Sequence, residues 1–164
     1  MLQKAMDGIT EFHHKHNFVV GTTLDKEQKV ASKFAKPVLL MVGWILIVLS
    51  KAIVKVSTKW QNKGDCRLYR AHLMIEEIGE TIMAAARCDE VGYADGLADT
   101  TYVVLGSAVT DDIPLSEIFN EVQKANMQKE PRNKFADPRL RNKGKNWKKP
   151  DIKGVLDAYN RRKR

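Results

Sequence analysis

The sequence predicts an all-α protein, an antiparallel helical bundle, from three observations. Apolar residues recur at helical spacing through most of residues 3–128. No run alternates apolar and polar residues in the manner of a half-buried strand. The periodic segments are separated by breaks as short as "QNKGD", "CDEVG" and "TDDIPLSE", and helices joined that tightly return antiparallel.

Each element follows in order. Residues 3–16 read as a short helix leading into the irregular "NFVVGTT". Asp25 is placed to cap a helix over 26–35, which Pro37 ends. A long apolar helix runs from about Pro37 to about Trp60, and Asp65 is a candidate cap for the next, about 66–88. A helix over about 92–110 precedes one over about 115–128, with Asp112 as its cap and Pro114 in its first turn. Beyond Met127 the chain turns rich in Pro, Gly, Asn and Lys, with no sustained apolar period. One or two helical turns in "PDIKGVLDAYN" close it. The predicted organisation is a helical catalytic core, 1–128, and a basic, largely irregular tail, 129–164, packed on that core or on a neighbouring subunit.

Composition narrows the class. Hydrophobic residues make up 43% and charged residues 29%, as in soluble globular proteins. Cys66 and Cys88 form no disulfide framework or zinc spacing, so both read as reduced thiols of a cytoplasmic protein. The opening "MLQKAMDGITEFHHKH" lacks the apolar core of a signal peptide. The uncharged run "PVLLMVGWILIVLS" stops at Lys51, with Lys55 and Lys59 following, short of the roughly 17–25 residues a membrane span needs. No membrane partner is expected; the run reads as a core or subunit-interface helix, hence a homo-oligomer, dimer or tetramer. Residues 1–128 carry 14 Lys/Arg against 16 Asp/Glu, and residues 129–164 carry 14 against 4. A basic tail of that kind suits anionic partners, either nucleotide phosphates or nucleic acid.

The unusual feature is acidic. "MIEEIGETIMAAA" sets Glu76, Glu77 and Glu80 among Ile and Met side chains, and "YADGLADTTYVVLG" does the same with Asp95 and Asp99. At about 100° per residue, Glu76 and Glu80 share a face with Glu77 at its edge, and Asp95 and Asp99 stand one turn apart. Antiparallel return brings the two acidic turns side by side. Over residues 71–100 Arg87 is the one Lys or Arg, whereas a solvated helix face mixes signs. Converging carboxylates repel unless a cation joins them, and oxygen-only donors favour Mg²⁺, or Mn²⁺ in its place. Asp99, among Leu97, Ala98, Val103 and Val104, is expected to be partly buried.

The order "EEIGE", "YADGLADTTYVVLGSA", "IPLSEIFNEVQKANMQK" resembles the MazG-like all-α nucleoside triphosphate pyrophosphohydrolases, and most closely their phosphoribosyl-ATP-pyrophosphohydrolase-like subgroup of bacteria and phages. "EFHHKHNFVVG" and "PDI" look like that subgroup's two ends. The resemblance implies cleavage of a (d)NTP between its α and β phosphates. It places Glu76, Glu77, Glu80 and Asp99 on metal-ligand positions, with Asp95 beside them, and one of Glu76 and Glu77 on the attacking water. It places Asn126 and Lys129 against the nucleotide or its phosphates. Three departures stand out, one of them the unusually apolar stretch 24–63, which is unlike the relatives. Gly96 occupies a position that is acidic in many relatives, and Gln123-Lys124 replaces a His-Arg pair, leaving Lys124 as the cation there. Among other residues, Trp60 is placed either to stack on a base or to pack at an interface, and Tyr102 either to donate to Asp99 or to pack. Arg70, like Arg67, is placed either to reach phosphate or to face water. His13, His14 and His16 read as surface histidines. The rival to the enzyme is a nucleic-acid-binding helical protein whose acidic patch is only structural.

Overall fold

The computed structural model describes residues 2–16, 18, 20, 21, 32–61, 66–130 and 143–164, with the side chains of 32–34 and 58–61 outside that description. The described residues form six helices and no strand: α1 Leu2–Lys15, α2 Ser32–Gln61, α3 Arg67–Arg87, α4 Glu90–Thr110, α5 Leu115–Met127 and α6 Ile152–Arg162. The all-α expectation holds. The chain divides into two compact units, Thr23–Asp112 with α2, α3 and α4, and Met1–Thr22 with Ile113–Arg164, which holds α1, α5 and α6.

In the first unit, Pro37 does not end a helix. It sits inside α2, in its second turn, where it costs one backbone bond next to a helix end that already leaves several groups unbonded. The helix expected over 26–35 and the Asp65 cap fall largely on residues outside the description; the cap position of α3 is Cys66, without a side-chain cap. α2 packs on α3 through residues spaced by seven. Gly43, Ser50 and Ser57 are buried on α2, and His72, Gly79 and Ala86 on α3. That spacing is the signature of a seam between two helices. At the closest approach a Cβ on Gly79 would lie 3.0 Å from the Gly43 carbonyl oxygen, and a Cβ on Gly43 2.8 Å from that of Gly79.

α3 ends at Cys88 in the left-handed conformation, φ 57°. α4 starts at once, because the Asp89 carboxylate accepts from the Gly92 N–H at 3.0 Å. Three close approaches set the register of this antiparallel pair: Gly92 on Ala84, Gly96 on Thr81 and Gly106 on Arg70. They bring Glu77 level with Asp99, Glu76 level with Thr100, and Glu80 level with Gly96, beside Asp95.

The apolar helix is not a core helix of this chain. Trp44, within the run read as a core or subunit-interface helix, is 61% exposed, and Val38, Met41, Ile45, Val48, Leu49 and Val56 are open as well. These side chains occupy a broad arc on the side of α2 away from α3. By length and composition the 23-residue stretch Ala35–Ser57 would cross a membrane, because the helix continues past Lys51 rather than stopping there. Yet α3 lies against its other side with Glu76, Glu77 and Glu80 at mid-length.

In the second unit, Asp112 has φ 53° and the cap position of α5 is Pro114. The expected Asp112 cap is therefore displaced by two residues. α6 is longer than one or two turns. Its 11 residues start from Asp151, which accepts from the Gly154 N–H at 2.9 Å. Glu117 on α5 accepts from the Arg162 Nη2 on both carboxylate oxygens, at 2.7 and 2.9 Å, an exposed pair that joins α6 to α5. The Trp147 indole N–H donates to the Ala125 carbonyl at 3.0 Å, so the described part of the basic tail packs on α5.

Candidate active site

Register, not chance, assembles the acidic cluster. Glu76 and Glu77 are half-buried, while Glu80, Asp95 and Asp99 are exposed. The pKa of Glu77 is raised, first by burial and then by repulsion from Asp99, Glu80, Glu76 and Asp95 in turn. All five carboxylates thus share one field. Among the described residues no ion pair neutralises any of them; the nearby arginines are engaged elsewhere. Arg70 donates to the Thr110 hydroxyl at 2.9 and 3.2 Å, and Arg67 pairs with Asp111 at 3.5 Å.

Asp99 is exposed rather than partly buried, because α4 packs chiefly on α3 and its outer side meets no other helix of its unit. Tyr102, 78% exposed, points to water and makes no described bond to Asp99. Gly96 explains the departure from an acidic residue there. A Cβ at 96 would lie 3.1 Å from the Thr81 Cα and 2.4 Å from its hydroxyl oxygen. No carboxylate fits at that crossing, and Asp95, on the adjoining side, is the acid this turn can carry.

The donor set fits a hard divalent cation. It is all oxygen, it lacks counter-charge, and the Thr100 hydroxyl oxygen, level with Glu76, is buried without a hydrogen-bond partner. The cage is not ready-made, since among the described residues no three His, Cys, Asp or Glu side chains stand close enough to hold an ion.

The other predicted contacts lie in the second unit. The Lys129 ammonium donates to the Asn126 side-chain oxygen at 2.6 Å, so the ends of the Asn-x-x-Lys pattern are joined. Lys124 is exposed, 3.7 Å from Glu121. Gln123, in place of a family histidine, donates to the Gly8 carbonyl at 2.6 Å and ties α5 to α1. The Trp60 side chain lies outside the described residues. Sequence reasoning missed His16. Expected at the surface, it is 2% exposed; Phe12 lies against its ring, but Lys129 and Glu130, more than a hundred positions away, also approach it, and no local pattern marks that.

The family model of phosphoribosyl-ATP pyrophosphohydrolase matches residues 50–126. The likeness covers 77 of the 164 residues, just under half of the chain. The phosphoribosyl-ATP pyrophosphohydrolase match starts near the middle of α2, takes in α3, α4 and nearly all of α5, and includes the five carboxylates, Lys124 and Asn126. The likeness suggests a pyrophosphohydrolase-type activity. Lys129, α1 and the C-terminal segment lie outside the match. No curated protein and no solved structure matches the chain.

Proposed function

We propose that the protein is a metal-dependent (d)NTP pyrophosphohydrolase. It cleaves the α–β phosphate bond to give (d)NMP and pyrophosphate, in nucleotide-pool control or phage DNA metabolism. The observation that carries this reading is Glu77, half-buried, in the field of four other carboxylates and paired with no cation among the described residues. Glu76, Glu77, Glu80 and Asp99 would hold Mg²⁺ or Mn²⁺, with Asp95 at their side. When bound, such an ion neutralises phosphate charge and lowers the pKa of its water.

The chain's own part follows from position and charge. Glu77 is the assigned proton acceptor, because burial first, and then its acidic neighbours, favour its protonated form. As the water oxygen bonds to phosphorus, its proton passes to Glu77, the α–β bridging bond breaks and pyrophosphate leaves. Asn126 and Lys129 meet the nucleotide or its phosphates, and Lys124 adds positive charge. The reaction asks the protein mainly for position and electrostatics.

The outward arc of α2 belongs, on this reading, against a second copy of the chain, in a dimer or tetramer. Its exposed side chains, Trp44 and Met41 foremost, form a contiguous apolar face of the kind that protein–protein interfaces bury. A bilayer is the poorer cover, because crossing it would carry the α3 glutamates into hydrocarbon or strip α3 away.

The deciding experiment is ion-exchange product analysis with each common NTP and dNTP, with Mg²⁺ or Mn²⁺ and with EDTA. Metal-dependent monophosphate and pyrophosphate from one or two substrates supports the reading and names the base. Diphosphate and phosphate would assign the wrong bond. No turnover of any nucleotide, altered bases included, would turn attention to nucleic acid and the basic tail.

A further inference from the structure

An α-helix leaves its last four carbonyls without partners. In α5 the end of the helix is also the Asn-x-x-Lys motif, and its partners come from outside. The Asn126 carbonyl accepts from the Lys129 N–H at 3.0 Å. The Ala125 carbonyl accepts from Trp147 at 3.0 Å. The Met127 carbonyl accepts from the Lys15 ammonium. One step further, the His16 imidazole hydrogen-bonds the Glu130 backbone. Its Nε2 has no partner, so the donor is Nδ1–H and the acceptor is the Glu130 carbonyl.

The residues that do this gripping are themselves fixed. The His16 N–H donates to the Phe12 carbonyl at 3.0 Å, and the Phe18 N–H to the His13 carbonyl at 2.9 Å. The Phe12 ring lies 4.3 Å from the His16 ring and stacks on Phe18 at 5.9 Å. Burial, with Lys15 and Lys129 close by, lowers the His16 pKa and keeps the ring neutral against the opposing pull of the Glu130 bond. A neutral ring with Nδ1–H committed has one orientation, and the position of Glu130 follows from it.

We propose that Lys15 and His16 are positioning residues for the Asn-x-x-Lys motif. The end of α1 holds the end of α5, so that Asn126 and Lys129 stand in one place before any ligand arrives. This rests on the role given above to Asn126 and Lys129. Neither Lys15 nor His16 need touch the substrate, and both lie outside the family match.

The test uses the full-length protein and two readouts, one independent of function. Amide hydrogen exchange at Lys129 and Gln128, both bonded to the Asn126 carbonyl, reports whether the end of α5 is held. Affinity for inorganic pyrophosphate, by calorimetry, reports whether the held motif matters. His16→Phe keeps a ring and removes the donor; His16→Asn keeps a donor near the Nδ1 place; Lys15→Met removes the other grip. Losing one such bond should speed Lys129 exchange about fivefold in His16→Phe and Lys15→Met, and weaken pyrophosphate binding by a similar factor. His16→Asn should recover most of both. Unchanged exchange in a folded His16→Phe protein overturns the grip. Faster exchange with unchanged pyrophosphate affinity, while Lys129→Met loses affinity, overturns the positioning role. If Lys129→Met itself binds pyrophosphate normally, the assigned role of the motif has failed, and exchange alone decides the grip.

Discussion

Replacing Glu77 by Gln should move stability in opposite directions with and without metal. In EDTA the wild-type cluster holds like charges at Glu76, Glu77, Glu80, Asp95 and Asp99 with no cation paired to them. A like-charged pair at helical contact distance costs about 0.2–0.5 kcal/mol. Four such neighbours around Glu77 come to roughly 1–2 kcal/mol at low salt, and less as salt screens them. For a chain of this size that is a rise of about 3–6 °C in Tm for Glu77→Gln at pH 7. The sign with pH follows from the raised pKa. A carboxyl whose pKa is higher folded than unfolded favours the fold while protonated, and that advantage is lost as pH rises through the folded value. The gap between variant and wild type should therefore close below the ordinary value of 4.5 and open above it. In saturating Mg²⁺ the order reverses. An ion at 100 times its Kd adds about 2.7 kcal/mol to the wild type, and the variant gains far less. Differential scanning fluorimetry across pH 4–8, with EDTA and with Mg²⁺, makes the measurement. A variant less stable than wild type in EDTA at pH 7, or equal metal shifts in both proteins, would refute the reasoning.

Other expectations follow from the same packing. Gly96→Asp, which supplies the acid found in many relatives, should cost about 1–3 kcal/mol in urea unfolding, because its Cβ meets the Thr81 backbone. Asp89→Ala should cost about 1 kcal/mol through loss of the α4 cap. Met41→Glu with Trp44→Glu, both on the exposed arc of α2, should convert an oligomer to monomers in analytical ultracentrifugation without unfolding α3 or α4. Trp147→Phe should cost about 1 kcal/mol and loosen the C-terminal segment from α5, as read by limited proteolysis.

Local patterns were legible in the sequence. The five acids could be grouped because helix geometry and a short link leave their turns little freedom; the link is the two residues Cys88 and Asp89. The elements misread were those decided by distant partners or by a single backbone detail. Pro37 looked like a stop, but a proline in a second turn removes only one bond. α6 looked short, yet Asp151 caps it, Lys153 pairs with Asp157 at 2.7 Å, and Arg162 anchors it to Glu117. Why Gly96 is not acidic could not be read without knowing that Thr81 lies against it. His16 could not be told from its neighbours until the end of α5 was seen to cover it.

The seven-spaced seam between α2 and α3 has a consequence for synthesis. α2 leaves the ribosome before α3 exists, and the two are complete only some 26 residues apart. At about 5–20 residues per second, α2 waits roughly 1–5 s for its partner. During that wait it offers to the translation exit, on every side, a stretch that targeting factors and bilayers read by hydropathy alone. Gly43, Ser50 and Ser57 lower its apolar character along one line, and Lys51, Lys55 and Lys59 break its second half, in the manner of gatekeepers beside an unavoidable apolar run. The residues that let α3 dock closely thus also make the nascent helix less apolar before docking is possible.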